Sequence, residues 1–384
     1  MKKIIRITTI PASLKTLLKG QLKYVSQNGY NIVGVSSEGK ELKEVALNEG
    51  VRVVSLNMTR IISPIKDVIS LINLFLLLVK EKPDIVHTHT PKAGTIGMIA
   101  SFLARVPVRM HTVAGLPLME VNGVKRFILN SVEKITYFCA TKVYPNSFGL
   151  RDIIIASKFT NENKLKVIGS GSSNGIDTNH FDPSLFSDHE RKILKKTLNI
   201  KDSDFVFIFV GRLVGDKGVN ELIESFDLLS IKNNKIKLLL VGPYENDLDP
   251  LQLFTKQKIL KNIQIISVGF KQDVRPYFDI SNLLVFPSYR EGFPNVVLQA
   301  GAMGLASIVT NINGCNEIII NNFNGLIIPK KDSNSLKESM QFFLENDTKL
   351  NEYSKRSRNH IVEKYHCEII WKLLVKEYDQ YYSF

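Results

Sequence analysis

The chain has 384 residues, with 50 Lys+Arg against 37 Asp+Glu and a formal net charge of +13. Its 44% apolar and 23% charged residues exclude intrinsic disorder and collagen, and its three cysteines, Cys139, Cys315 and Cys367, lie too far apart for a disulfide-stapled miniprotein or a C-x-x-C zinc site. The charge is uneven: residues 1–180 carry 24 Lys+Arg against 12 Asp+Glu, and residues 181–384 carry 26 against 25.

In chain order, apolar runs predict strands at Ile4–Thr8, Asn31–Val35, Val51–Leu56, Ile85–His87, Val108–His111 and Lys142–Pro145. Between them, helices are predicted at Ser13–Gln27, Glu38–Asn48, Pro64–Glu81, Lys92–Ala104 and Val124–Ala140. This alternation reads as a parallel sheet covered by helices. Residues 177–203 are polar and predict a domain boundary. The pattern then restarts. Strands are predicted at Phe205–Val210, Ile236–Val241, Ile263–Ser267, Leu283–Phe286, Ser307–Thr310 and Leu326–Ile328, and helices at Gly218–Ser230, Asn295–Met303 and Ser333–Glu345. From Leu350 the chain reads as helical to the end, with a break near His366. The expected class is α/β, with two Rossmann-like domains and a ligand cleft between them.

The longest apolar run, Val68–Val79, falls short of the ~20 residues that span a bilayer, and Met1–Arg6 leads into too short an apolar stretch for a secretory signal. A cytoplasmic chain without a membrane span is expected. The basic first half calls for an anionic partner. No helix-turn-helix, zinc-finger, RNP or KH pattern is present, so the partner is read as a phosphorylated substrate or an acidic membrane face rather than nucleic acid.

Five stretches are candidates to carry chemistry. Gly211-Arg212 and Lys217-Gly218 follow a buried strand, and two cations there suit a diphosphate. Glu291-Gly292-Phe293-Pro294 leads into a helix whose first amides, on Asn295, Val296 and Val297, make an anion site, with Pro294 in the first turn. Glu291 suits sugar hydroxyls, and Gln299, one turn on, reaches further hydroxyls. His111 ends a first-half strand and is read as facing the cleft. His87 and His89 share one face of an extended segment, and Lys92 opens the next helix, where it suits an acceptor phosphate. No third ligand accompanies the two histidines, so no metal site is assigned. Asp247-Leu248-Asp249 resembles a metal-binding D-x-D but reads as solvated. The glycine-rich loop Gly169–Asp177, with Asn174, allows close backbone approach or serves as a hinge.

Together, VGRLVGDKG, SYREGFPNVVLQAGAMG and GCNEIIINNFNGLIIP resemble the motifs of glycosyltransferase family 4 (group 1), the GT-B enzymes. The stretch DIVHTHTPKAGTIGMIASFLARVPVRMHTVAGLP and the closing helix ending at Tyr381-Tyr382 resemble bacterial capsule and O-antigen members. The resemblance implies an acceptor- and membrane-facing domain over 1–180, a nucleotide-sugar domain over 181–365, and a C-terminal helix, 366–384, packing back on the first domain. It implies a retaining, hexosyltransferase-type enzyme without a metal or other cofactor. The donor is a nucleotide sugar, UDP by family habit. The acceptor is a polyprenyl-diphosphate-linked saccharide at the inner membrane face, in capsule, O-antigen or lipopolysaccharide synthesis. By the same resemblance Arg212 and Lys217 hold the donor diphosphate, Glu291 and His111 contact the sugar, and Gln299 stands where the family has a ribose-binding Glu. An amide still hydrogen-bonds a diol, so nucleotide binding is expected to survive that change. The family's Gly-Gly pair after the first strand is replaced by Thr8-Thr9-Ile10-Pro11-Ala12-Ser13, which predicts an altered acceptor loop. Two other functions stand beside the transferase: a UDP-sugar 2-epimerase on the same fold, and a non-catalytic nucleotide-sugar-binding scaffold.

Overall fold

A computed structural model of the chain describes residues 1–59, 61, 63–116, 123–245 and 249–381. It divides into two compact units: Met1–Asn174 with Cys367–Phe384, and Gly175–His366. The division falls just ahead of the polar 177–203 stretch, which belongs to the second unit.

In the first unit the strands are β1 (Lys3–Ile7), β2 (Asn31–Ser36), β3 (Arg52–Ser55), β4 (Ile85–Thr88), β5 (Val108–Val113) and β6 (Lys142–Pro145). They form one sheet in the order β3-β2-β1-β4-β5-β6, and every pair is parallel. The helices between them are α1 (Pro11–Leu17), α2 (Gln21–Gln27), α3 (Lys40–Glu49), α4 (Pro64–Glu81), α5 (Pro91–Leu103), α6 (Gly123–Cys139) and α7 (Phe148–Ala156). The single helix expected over Ser13–Gln27 is broken in two. The Glu49 carboxylate accepts the Gly20 and Lys23 amides at 2.7 and 3.0 Å, which starts a new helix there.

The second unit repeats the plan. Its strands are β7 (Phe205–Val210), β8 (Ile236–Val241), β9 (Ile265–Gly269), β10 (Leu283–Phe286), β11 (Ala306–Thr310) and β12 (Gly325–Ile328), in the order β12-β11-β10-β7-β8-β9. Its helices are α8 (Asp188–Thr197), α9 (Val219–Lys232), α10 (Leu253–Lys261), α11 (Arg275–Asp279), α12 (Asn295–Ala302), α13 (Cys315–Ile318), α14 (Ser333–Glu345) and α15 (Asp347–Tyr365). The chain then turns at His366 into α16 (Cys367–Asp379), which packs in the first unit. The predicted linker contains α8, set by a capping box in which Ser187 and Glu190 satisfy each other's amides.

The inner strands of both sheets are buried, so β7 and β10 are continuous apolar runs rather than alternating ones, while the edge strands β3 and β9 are partly exposed. Renumbered from its own first strand, each sheet has the doubly wound order 3-2-1-4-5-6. The order reverses between β1 and β4 and between β7 and β10, and ligands bind beyond the carboxyl ends of strands at such points. Among the described residues no helix is long and apolar enough to cross a membrane.

Candidate active site

The loops after β7 and β10 carry the two most specific motifs, and the fold sets them side by side at the second unit's reversal point. Tyr289 donates its amide to the Asp216 carbonyl at 2.9 Å, and the Arg290 guanidinium meets the Asp216 carboxylate at 3.1 Å. These ties bring Lys217 Nζ onto Glu291 Oε1 as a largely buried ion pair. The Ser288 hydroxyl also donates to Glu291 Oε1 at 3.1 Å, and the Thr310 hydroxyl holds the Ser288 carbonyl. Gly218 makes the approach possible. Its φ is +69°, and a Cβ there would lie 2.0 Å from the Pro287 carbonyl oxygen. The buried Cys315 thiol faces the same charges, and burial with the Glu291 carboxylate pushes its ionisation well up.

Arg212 leaves the end of β7 next to Gly211 and pairs with Glu245 at 2.9 Å, each side chain 37% exposed. Glu245 comes from the loop after β8, which runs parallel to the β7 loop through the Leu213 amide and the Pro243 carbonyl at 2.8 Å. The two cations expected to hold a diphosphate each have a carboxylate partner. Glu245 and Ser288 were not singled out from sequence, although Ser288 heads the same motif as Glu291.

α12 begins at Asn295 as expected, but Pro294 precedes its first turn rather than lying in it. Pro294 is its N-cap in extended conformation (ψ 110°), and Asn295 is the first helical residue. The Val297 amide donates to the Pro294 carbonyl at 3.1 Å, which corrects its place among the anion-binding amides. Asn295 and Val296 have no backbone acceptor for their amides among the described residues. Phe293 is also corrected: it is buried against the Tyr365 ring, at 5.6 Å between centroids, and anchors the loop in the core. Gly292 runs against Gly314, where a Cβ would meet the Gly292 carbonyl at 2.7 Å. Gln299 is half-buried on the turn after Asn295. Asp247 and Leu248 lie outside the described residues, and the Asp249 carbonyl accepts the Gly215 amide at 3.0 Å.

In the first unit the histidines part company. His111 lies on the α5–α6 side of the sheet, its Nδ1 2.8 Å from the Thr88 hydroxyl and its ring beside Tyr137. Burial holds its pKa down to about 4, so the imidazole is neutral at pH 7. It fits only because residue 94 is glycine: a Cβ there would lie 2.3 Å from His111 Cε1. Gly94 is thus a supporting residue that spacing alone did not reveal.

His87 and His89 do share a face, with rings 4.2 Å apart, but they lie under α16. His87 Nδ1 meets the Tyr378 hydroxyl at 2.7 Å and its Nε2 the Thr112 hydroxyl at 2.8 Å. His89 Nε2 accepts from Arg6 Nε at 2.9 Å. Burial first, and then the nearby cationic and histidine groups, push both pKa values well below the usual histidine range. The expectation that they face an acceptor is corrected: His87 spends its ring nitrogens on Tyr378 of α16 and on Thr112, and His89 is buried against Arg6. A cavity of about 10 Å³ beside them, room for one water, is lined by His87, His89, Asn146 and Gln21, and two of its lining residues, His89 at Nδ1 and Asn146 at Oδ1, carry buried atoms without protein partners. Asn174 is likewise structural. It accepts from Trp371 Nε1 at 2.6 Å and Gln21 Nε2 at 3.0 Å and donates to the Lys19 carbonyl at 3.0 Å. Lys92, expected to meet an acceptor phosphate, pairs with Asp67 at 2.7 Å. Among the described residues no three His, Cys, Asp or Glu side chains gather as a metal-binding group.

Comparison with known proteins agrees with this geometry. The family model "Glycosyl transferases group 1" matches residues 190–360, and "Glycosyl transferase 4-like domain" matches residues 29–171. The chain is 36% identical, over 99% of its length and 97% of the relative's, to the capsular polysaccharide biosynthesis glycosyltransferase CapM of Staphylococcus aureus. It is 34% identical, over 79% of its length and 77% of the relative's, to the UDP-Gal:alpha-D-GlcNAc-diphosphoundecaprenol alpha-1,3-galactosyltransferase of Escherichia coli. Among solved structures, a glycosyltransferase from Rickettsia africae matches at TM-score 0.80 with 18% identity, over 100% of this chain and 99% of that one. Alr3699/HepE of Anabaena, solved with UDP-glucose, matches at TM-score 0.80 and 18% identity, over 99% and 100%. The fold is GT-B, and the chain belongs to the group 1 glycosyl transferases and is a glycosyltransferase.

Proposed function

We propose that this enzyme moves a hexose, with retention of anomeric configuration, from a UDP-sugar to a saccharide carried on polyprenyl diphosphate, in the assembly of a capsule or O-antigen-type surface polysaccharide. The observation that carries the reading is the Lys217–Glu291 pair, held by Ser288 just ahead of the two amides that open α12 at the β7/β10 reversal point. The E. coli relative's name specifies both a UDP-sugar donor and a diphosphoundecaprenol-linked acceptor, which supports the same classes here.

The chemical demand is the departing UDP. As the glycosidic bond breaks, negative charge grows on the leaving phosphate oxygen. Fixed cations and backbone dipoles stabilise that charge without having to reorganise. Lys217, Arg212 and the Asn295 and Val296 amides are assigned to it. Lys217 then shares its charge between the diphosphate and Glu291, which keeps the carboxylate aimed at the sugar's hydroxyls. Arg212 swings from Glu245 at little cost, because an ion pair as exposed as theirs contributes only ~0–1 kcal/mol. Gln299 is assigned to the ribose diol and the neutral His111 to sugar hydroxyls. The leaving phosphate takes the acceptor's proton on the same face of the sugar, so no protein nucleophile is assigned. A lipid-linked acceptor also places the enzyme at a membrane surface, as a peripheral protein.

The test is a transfer assay in detergent-free solution. A panel of labelled UDP-sugars is offered with a short-chain polyprenyl-diphosphate disaccharide. Label appearing on the acceptor from one UDP-sugar, with the configuration retained, is the expected result. Product that forms without any acceptor means the epimerase, and binding without turnover on any acceptor means the scaffold.

A further inference from the structure

The outer helices of the first unit present a surface that the site does not use. α4 buries Ser70, Leu74 and Leu78 toward the sheet. Its other side is nevertheless apolar: Ile65, Val68, Ile69, Ile72, Leu76 and Val79 are 47–78% exposed. α6 buries Thr136, Tyr137 and Cys139, yet exposes Val124, Phe127, Ile128, Ile135 and Phe138, with Phe127 at 73% and Phe138 at 70%. An outer helix ordinarily turns charge to water on that side. α5 packs against both neighbours. Its small residues, Gly94, Gly97, Ala100 and Ser101, are buried, so it lies recessed between them, and its last turn adds the exposed Phe102, whose ring lies 5.9 Å from that of Phe138. The exposed apolar sides of α4 and α6 are therefore one face, larger than the scattered hydrophobes of an ordinary surface.

The charges on this face have one sign. The exposed charged residues of α4 and α6 are Lys66, Lys80, Lys125 and Lys134. The carboxylates of the same helices are turned inward. Asp67 pairs with Lys92, Glu81 pairs with Lys3 and Arg52, and Glu133 is half-buried, with burial pushing its pKa up. A second copy of the chain would set lysines against lysines with no exposed carboxylate to answer them. An anionic lipid surface answers all four. We propose that the α4–α6 face seats the protein on an anionic bilayer, its apolar side chains entering the headgroup boundary and its lysines on lipid phosphates. This rests on the membrane placement proposed above and narrows it to one face.

The test is flotation of the full chain with vesicles of phosphatidylcholine alone, or with one part in about three of phosphatidylglycerol, without donor or acceptor. Binding is expected to favour the anionic vesicles at least ~10-fold and to weaken with salt, since each lysine near the surface contributes ~1 kcal/mol. The double variants Phe127→Ser/Phe138→Ser and Lys125→Glu/Lys134→Glu each lower that binding about tenfold or more and melt like the wild type. The control Leu260→Ser/Ile263→Ser, which removes apolar side chains 84% and 88% exposed on the second unit, leaves it unchanged. Equal binding of both vesicle types, or unchanged binding by the two face variants, overturns the proposal. So does a wild-type dimer in sedimentation that the Phe127/Phe138 variant dissociates, which gives the face to a second copy. Transfer to the short-chain acceptor in vesicle-free solution continues in every variant. Its failure in the wild type counts against the transferase reading and leaves the vesicle result standing.

Discussion

At the scale of single residues, exposure decides what each cation contributes. Arg212 and Glu245 are each 37% exposed, so their pair adds little to stability, whereas Lys217 and Glu291 are 14% and 18% exposed and neutralise each other out of water. Both cations are assigned to the leaving diphosphate, where removing one stabilising donor costs a factor of ~10²–10³ in turnover. Arg212→Ala is therefore expected to lower kcat by about that factor with stability unchanged within ~0.5 kcal/mol. Lys217→Ala is expected to lose as much turnover and also ~1–3 kcal/mol, because Glu291 is left without its cation. Paired kinetic and melting measurements check both, and a folded variant of either kind with normal turnover removes that residue from the site.

At the scale of elements, α16 is fastened to the first unit by polar bonds as well as apolar packing. His87 meets Tyr378, Asn174 meets Trp371, and Tyr30 meets Asp379 at 2.7 Å. The first of these bonds depends on His87, which burial keeps neutral, as it keeps the His89 ring beside it. Unfolded, His87 and His89 bind protons at their ordinary pKa near ~6.5; folded, they resist protonation until well below it. The unfolded chain thus takes up more protons as pH falls, and stability is lost on acidification from about pH 6.5 downward. The expected outcome is a melting temperature that falls steadily from pH 7 to pH 5, with Tyr378→Phe starting lower at every pH because His87 Nδ1 loses its partner. A melting temperature that does not change across that range contradicts the account. The same contacts show why the sequence is legible in some elements and opaque in others. The buried strands read correctly because a parallel sheet covered on both faces demands unbroken apolar runs, and β6, β7, β8 and β10 match the expectation residue for residue. The α1/α2 break is invisible locally because its cause, Glu49, lies in another helix. α8 hides among its own charges. His87 and Asn174 are misread because their partners lie in α16, almost 200 residues or more away, and His89 because its partner is Arg6 on β1. Glu291, Lys217 and Arg212 are legible because each sits in a short motif at a strand end, while their pairings with one another and with Glu245 are not.

At the scale of the whole molecule, one sheet plan is used twice for different ends. In the second unit the reversal point holds the motif loops, with charge, amides and close-packed glycines at the strand ends. In the first unit the polar groups near the reversal point, Arg6, His87 and His89, are closed over by α16, and the unit instead carries an apolar, lysine-bearing outer face. The excess positive charge of the first half of the sequence is consistent with that division of labour. The central claim is that the second unit's loops hold the diphosphate of a uridine nucleotide. The most direct measurement is the thermal shift of the wild type and of Lys217→Ala with UDP, GDP and ADP. A nucleotide at ~100 times its dissociation constant adds ~2.7 kcal/mol, a rise of about 5 °C or more for a unit of this size. The account predicts that rise for the wild type with UDP and its loss in a folded Lys217→Ala. No shift with any nucleotide, or an undiminished UDP shift in Lys217→Ala, contradicts it.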